Sequence, residues 1–300
     1  MSLRCLWHTL PAKADFQVMS DLHLEVSNQY SSFYIPKAAP YLILAGDIGR
    51  LVDYESYLDF LRSQCCQFTR VFLVLGNHEF YGLSREEGLR RAELLQQEPD
   101  LSGKLVVMNQ TRITLDTPTG ITILGCTLQS WIPPEAREIV EARVNDFRRI
   151  KNWTVDRHMM EYTSDVDWLQ KQINLIRNEE STSGHRIVVI THHAPSVQES
   201  SRPSDIGSPL RSAFATDLLG INGVPLLSDV QWWIFGHTHY CTEFSKGNVK
   251  LVSNQRGYTI HKSSQETPVP STILQSIVQR INIFSSRQGS SFQVQKVIRV

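Results

Sequence analysis

The stretch VFLVLGNHEFYG, from Val71 to Gly82, decides the reading of this chain. Its apolar run, partly β-branched and aromatic, stops abruptly at Gly76-Asn77-His78-Glu79. An apolar run of this length closed by a turn signal suits a strand buried on both faces. The polar cluster then lies at the strand's carboxyl end, where open α/β sheets place their ligands.

The same design recurs elsewhere. Phe16-Gln17-Val18-Met19 leads into Ser20-Asp21-Leu22-His23, and Tyr41-Leu42-Ile43-Leu44-Ala45 into Gly46-Asp47. Arg186-Ile187-Val188-Val189-Ile190 leads into Thr191-His192-His193-Ala194-Pro195, and Trp232-Trp233-Ile234-Phe235 into Gly236-His237-Thr238-His239. Unrelated polar turns would have to coincide in residue type and position at all of these strand ends. A shared site explains the pattern with one cause.

Composition bounds the rest. The 300 residues can form one large α/β domain or two small ones. A hydrophobic content of 41% and a charged content of 20% fit an ordinary globular core. Thirty basic residues balance thirty acidic ones, so no global field favours nucleic acid or an anionic membrane. Cys5, Cys65, Cys66, Cys126 and Cys241 have neither a disulfide framework's pattern nor zinc-ribbon spacing, which suits a reduced, cytoplasmic setting. The first sixteen residues lack the sustained apolar segment of a signal peptide, and no run reaches the length of a membrane span.

Between the motifs the pattern is strand, helix, strand, helix. Tyr54, Tyr57, Leu58, Leu61 and Cys65 recur at helical spacing within 52–68, and Ser84 with Glu87 has capping-box spacing at the head of a helix that Pro99 closes. This half predicts a largely parallel sheet. Three short alternating runs follow, at 105–108, 112–115 and 121–124, with Pro118-Thr119-Gly120 as a turn between the last two. They predict antiparallel neighbours in a second sheet packed on the first. Pro133-Pro134 starts a helix with Ile139, Val140, Val144 and Phe147 on one side and the charged cluster 145–150 at its end. Another helix spans 164–178. Residues 196–212 and 262–271 read as loops, and 292–300 as a last strand.

Asp21, His23, Asp47, Asn77, His192, His237 and His239 are too many oxygen and nitrogen donors for one tetrahedral zinc. They suit two ions of intermediate softness, such as manganese, iron or zinc, with Asp47 as the bridging carboxylate. Two metals about 3.5–4 Å apart can hold a bridging hydroxide and neutralise charge on a phosphoryl group. His193 stays open as an alternative to its neighbour His192. Glu25 and Glu79 read as supporting residues. Arg50 and Arg256 are each open between a substrate contact and a structural role, and His8, His158, His185 and His261 read as surface residues.

These motifs, in this order and at strand ends over roughly 16–260, resemble the calcineurin-like metallophosphoesterases. SDLHLE, GNHEFYG, THHAPS, GHTH and SNQRGY are similar to one branch of that superfamily, although Gln255 stands where its members often carry proline. The resemblance implies a four-layer αββα sandwich with two mixed β-sheets. It assigns a first divalent or trivalent ion to Asp21, His23, Asp47 and His239, and a second to Asp47, Asn77, His192 and His237. His78 corresponds to the family's substrate-facing histidine.

The expectation is a single domain over 1–300, with 129–160 and 196–212 as cleft-lining insertions and 262–300 as a C-terminal extension. Its activity would be phosphoester hydrolysis on a small molecule. Arg148, Arg149 and Arg202 would be available for an anionic group. Neutral charge and the lack of a basic, aromatic-laced stripe argue against a nuclease. A non-hydrolytic rearrangement at the same bimetal site, or a binding scaffold that has lost catalysis, are the alternatives; every position that such a loss would empty is filled.

Overall fold

Alternate side chains of the buried strands feed different cores, and that alternation sets the layers. The computed structural model describes residues 13–117, 120–182, 184–219, 225–259 and 291–300. One sheet contains β1 (Asp15–Met19), β2 (Tyr41–Ala45), β3 (Arg70–Val74), β4 (Leu105–Val107) and β11 (Val297–Arg299), in the order β11-β1-β2-β3-β4. The other contains β5 (Thr111–Leu115), β6 (Ile121–Gly125), β7 (Arg186–Ile190), β8 (Trp232–Ile234), β9 (Thr242–Lys246) and β10 (Val249–Ser253), in the order β5-β6-β7-β8-β10-β9. Each sheet is parallel at its centre, with antiparallel pairs at β11–β1, β5–β6 and β10–β9.

Phe16, Ile43, Phe72 and Val74 of the first sheet meet Ile123, Val188, Ile190 and Ile234 of the second in the inter-sheet core. Their strand neighbours point the other way. Leu42, Leu44, Val71 and Leu73 pack under α1 (Tyr54–Gln67) and α2 (Arg85–Gln97), while Ile187, Val189 and Trp233 pack under α5 (Val155–Asn178). The result is helix, sheet, sheet, helix, the expected four-layer sandwich with two mixed sheets. Burial on both faces is why these strands read as unbroken apolar runs. Each fully buried Val, Leu, Ile or Phe contributes roughly 1.5–3 kcal/mol.

Local signals act where the sequence put them. Glu87 N donates to Ser84 Oγ at 3.1 Å and Ser84 N to Glu87 Oε2 at 2.9 Å, a closed capping box. The last strand forms beside β1 as β11.

Several expectations change. The 105–108 run is not a partner of the next two strands: β4 pairs parallel to β3 in the first sheet. The helix α2 between β3 and β4 is a crossover, which returns the chain parallel. The single helix expected after Pro134 is two, α3 (Arg137–Arg143) and α4 (Asp146–Arg149), separated where Val144 turns extended. Helix α5 starts nine residues before Ser164, capped by the Thr154 side chain on Arg157 N. Its first turns face Ser130, Ile132, Val140 and Val144 rather than a sheet, so Val155 and His158 are buried while Met160 is exposed, and the apolar period is hidden. His158 is therefore a core residue and not a surface one. Pro118-Thr119, the loop at 262–271, His8 and His261 lie outside the described residues. Among the described residues no helix is long and apolar enough to cross a membrane.

Candidate metal centre

Five candidate ligands sit on backbone that L-residues rarely adopt. Asp21 (φ 52°), His23 (48°), Asp47 (54°), His237 (72°) and His239 (48°) are all left-handed. Such positions cost on the order of 1 kcal/mol each and persist only where the surroundings hold them. They let each strand turn sharply, so that side chains from several ends face one point. Close approach also requires absent side chains. A Cβ on Gly76 would lie 2.3 Å from Asp47 Oδ1, and one on Gly236 2.6 Å from Asp21 Oδ2.

The donors form two overlapping groups. In the first, His23 Nε2 lies 2.9 Å from His239 Nε2 and 3.9 Å from Asp47 Oδ2, and His239 Nε2 is 3.4 Å from Asp21 Oδ1. In the second, His192 Nε2 lies 3.0 Å from Asn77 Oδ1, 3.1 Å from His237 Nδ1 and 3.4 Å from Asp47 Oδ1. Asp47 thus offers a different oxygen to each group. The first sheet supplies Asp21, His23, Asp47 and Asn77, and the second His192, His237 and His239.

These residues fit cations. His192 Nδ1 donates to Ala45 O at 3.0 Å, so in the neutral ring the Nε2 lone pair faces two oxygens and a second imidazole. Acceptors gathered round one point repel unless a positive charge lies among them. Protonation shows the same demand. Burial alone would push His192 down, yet the carboxylates of Asp47 and Asp21 lift it to about 10. Burial likewise pushes the Asp47 carboxyl up, but His192 and His78 outweigh it and hold the group well below the ordinary carboxylate range.

Supporting residues fix the donors. Glu79 accepts the amides of Gly76 (2.7 Å), Asp47 (2.9 Å) and Ile48 (2.8 Å) and the Tyr57 hydroxyl (3.0 Å), which ties the β2 and β3 ends together. His193 turns from the donors to Ser130 Oγ at 3.2 Å and stacks on His237 at 4.0 Å. Phe214 covers the other side of that system, with its ring 4.8 Å from His237. So His192, and not His193, faces Asp47 and Asn77.

His78 stands beside the donors. Its Nδ1 donates to Glu25 Oε1 at 2.7 Å, and Nε2 lies 3.1 Å from the Tyr258 hydroxyl and 3.9 Å from Asp47 Oδ2. Burial depresses His78, but Asp47 and Glu25 overcome that and raise it to about 9; burial raises Glu25, but hydrogen bonds from His23 and His78 bring it to about 2.

Of the donors, Asp47, Asn77, His237 and His239 line, with His78, a cleft of about 400 Å³ whose lining also includes Tyr81, Arg143, Val144, Asp146, Leu210 and Phe214. Arg148 lines it too, Arg149 lies over the Tyr81 ring at 5.6 Å, and Arg202 Nη2 donates to His239 O at 3.4 Å. Arg50 is instead paired with Asp53 (2.8 Å), beside a separate cavity that Glu25 and Tyr30 also border. Arg256 donates to Leu22 O and Gln29 Oε1, a structural tie, and Gln255 donates to Thr238 Oγ1 at 3.0 Å between the two histidines of GHTH.

Sequence reading did not find Asp146, Tyr258 or Arg143. None follows an apolar run with a turn signal, so periodicity had nothing to mark; the one hint for Tyr258 was its place in SNQRGY.

The sequence model of the family described as calcineurin-like phosphoesterase matches residues 16–241. The chain is 28% identical to an uncharacterised protein of Acanthamoeba polyphaga mimivirus, over 82% of this chain and 92% of that one. It is similar in fold to a phosphopantetheinyl hydrolase from Mycobacterium tuberculosis, with a TM-score of 0.60 at 18% identity over 82% of this chain and 90% of the other. A dimetal phosphatase from Danio rerio aligns with a TM-score of 0.45 at 15% identity, over 80% of this chain and 86% of that one.

Proposed function

The chain belongs to the calcineurin-like phosphoesterase family and is a metal-dependent phosphoesterase; from that premise we propose that it hydrolyses the phosphoester of a small organic molecule at a pair of metal ions. One ion would be held by Asp21, His23, Asp47 and His239, and the other by Asp47, Asn77, His192 and His237. Manganese, iron or zinc suit such oxygen and nitrogen donors without a thiolate. The observation that carries the reading is the division of Asp47, whose Oδ1 faces His192 and whose Oδ2 faces His23.

When bound, two such ions supply a nucleophile at neutral pH and positive charge against the phosphoryl oxygens. The protein's own groups do the rest. Glu25 holds His78 Nδ1 and so leaves Nε2 to face the cleft, while the Tyr258 hydroxyl fixes the ring's tilt. In that setting Nε2 can hold a proton for the leaving oxygen. Asp146 turns the Asn77 carbonyl oxygen inward by accepting its amide.

A cleft of about 400 Å³ supports a small-molecule substrate, as does the balance of charges against nucleic acid. We read residues 1–300 as one catalytic domain in which 129–160 and 196–212 are cleft-lining insertions and 262–300 an extension. The cytoplasm is the compartment this reading assigns, supported by free thiols at Cys65, Cys66 and Cys126.

The test is reconstitution of metal-free protein with manganese, iron or zinc, followed by assay on phenyl phosphate and on bis(4-nitrophenyl) phosphate. The expected result is two bound equivalents per chain and turnover that chelators abolish. One equivalent at saturation, or turnover indifferent to chelation, would overturn the dinuclear reading.

A further inference from the structure

Three kinds of side chain line the cleft: the donors Asp47, Asn77, His237 and His239 with His78; the apolar Val144, Leu210 and Phe214; and the cations Arg143 and Arg148. Several guanidinium groups settle on carboxylates, as Arg85 does on Glu161 (2.9 Å), Arg112 on Glu179 (2.7 Å) and Arg137 on Asp156 (2.7 Å). The two that line the cleft do not. Among the described residues Arg148 donates to Ala142 O, Arg143 O and Asn145 Oδ1, which caps the end of α3 without neutralising its charge. Arg143 is exposed and has no side-chain partner among the described residues, although Glu138 and Glu141 share its helix. Two cations without a carboxylate partner among the described residues therefore line one cleft in a chain whose net charge is zero. A solvated surface arginine needs no explanation; two such groups lining one concave, partly apolar cleft do.

We propose that Arg143 and Arg148 bind a second anionic group of the substrate, a carboxylate or phosphate carried by the leaving group. The preferred substrate is then a small phosphoester with an apolar body and a distal negative charge. The apolar side chains in the same lining suit an apolar body joining the two anionic groups, for which an aromatic ring is a convenient probe. Planar guanidinium donors suit either oxyanion, and a charge-assisted pair in a partly enclosed cleft discriminates by about tenfold or more. This inference rests on the phosphoesterase reading for the position of the reacting phosphoryl group.

Binding and turnover separate the two. The metal-loaded protein is titrated calorimetrically with phenylphosphonate, 4-carboxyphenylphosphonate and 4-phosphonophenylphosphonate, and hydrolysis of the matching phosphates is measured in parallel. The wild type should bind each doubly anionic ligand about tenfold more tightly than the plain one, less so at high salt. Arg143→Gln breaks no protein contact, and with Arg148→Gln it should bring that ratio close to one; Arg70→Gln, on the exposed start of β3, should keep it. The carboxylate and phosphonate ligands distinguish the kinds of anion. Equal binding of plain and anionic ligands by the wild type, or an unchanged ratio in the double variant, would overturn the inference even if phenyl phosphate is hydrolysed. Discrimination without hydrolysis would sustain it and overturn the phosphoesterase reading instead.

Discussion

Asp146 accepts the side-chain amide of Asn77 at 2.8 Å, through the same oxygen that takes the Tyr81 hydroxyl at 2.8 Å. A residue of the short helix α4 thereby decides which end of Asn77 faces His192. Asp146→Ala should weaken one of the two metal equivalents by about tenfold to a hundredfold and leave the other close to its original affinity. Asp146→Asn keeps an acceptor and should retain most of that affinity. Calorimetric metal titration distinguishes them; equal weakening of both equivalents would mean that the loss is global.

The shared carboxylate makes the opposite prediction. Asp47→Asn should lower occupancy of both equivalents together and remove turnover, because the amide offers the two donor groups a single oxygen and no negative charge. Elemental analysis of the purified variant reads this directly. Two equivalents retained with full activity would take Asp47 out of the bridging role.

Both predictions depend on residues of very different visibility in the sequence. The five strand ends were legible because a strand buried on both faces is an apolar run, and its break at Gly46-Asp47 or Gly76-Asn77 shows where the backbone must turn. The sandwich was legible for the same reason, while the sheet to which β4 belongs was not: three residues carry too little pattern to set them apart from the two alternating runs that follow. Asp146 could not be found this way, since it meets Asn77 from 69 residues away on a four-residue helix. His158 misled because its burial comes from packing near Phe147, Trp153 and His193 rather than from a sheet.

His78 lies beside the donors and is not counted among them. His78→Ala should keep two metal equivalents and slow turnover by about a hundredfold or more. The loss should be larger for alkyl phosphates than for 4-nitrophenyl phosphate, whose leaving oxygen needs little help from a proton. A uniform loss across leaving groups would assign His78 to binding the phosphoryl group and not to proton delivery.

His158 gives a pH signature in stability. Burial depresses its pKa from 6.5 to about 4, with Nε2 donating to Ser130 O at 2.7 Å. The unfolded chain takes up this proton first as pH falls. The contribution is complete above about pH 6.5 and is lost progressively down to about pH 4, amounting to roughly 3 kcal/mol at an energy of about 1.4 kcal/mol per pKa unit. His158→Gln should be less stable at neutral pH but flatter across this window in urea unfolding. Parallel curves for variant and wild type would assign the acid loss to other groups.

The seven donors come from both sheets, with Asp47 reaching across to His192. Ions held as proposed would therefore act as rivets through the seam between two slabs that the hydrophobic core already glues. A molecule with only one slab assembled would lack at least one donor of each nest, so metal uptake would report finished sandwiches. Chelation should loosen the seam first: hydrogen exchange at His237, whose amide donates across it to Asp21 Oδ1, should quicken well before exchange inside α1 or α5.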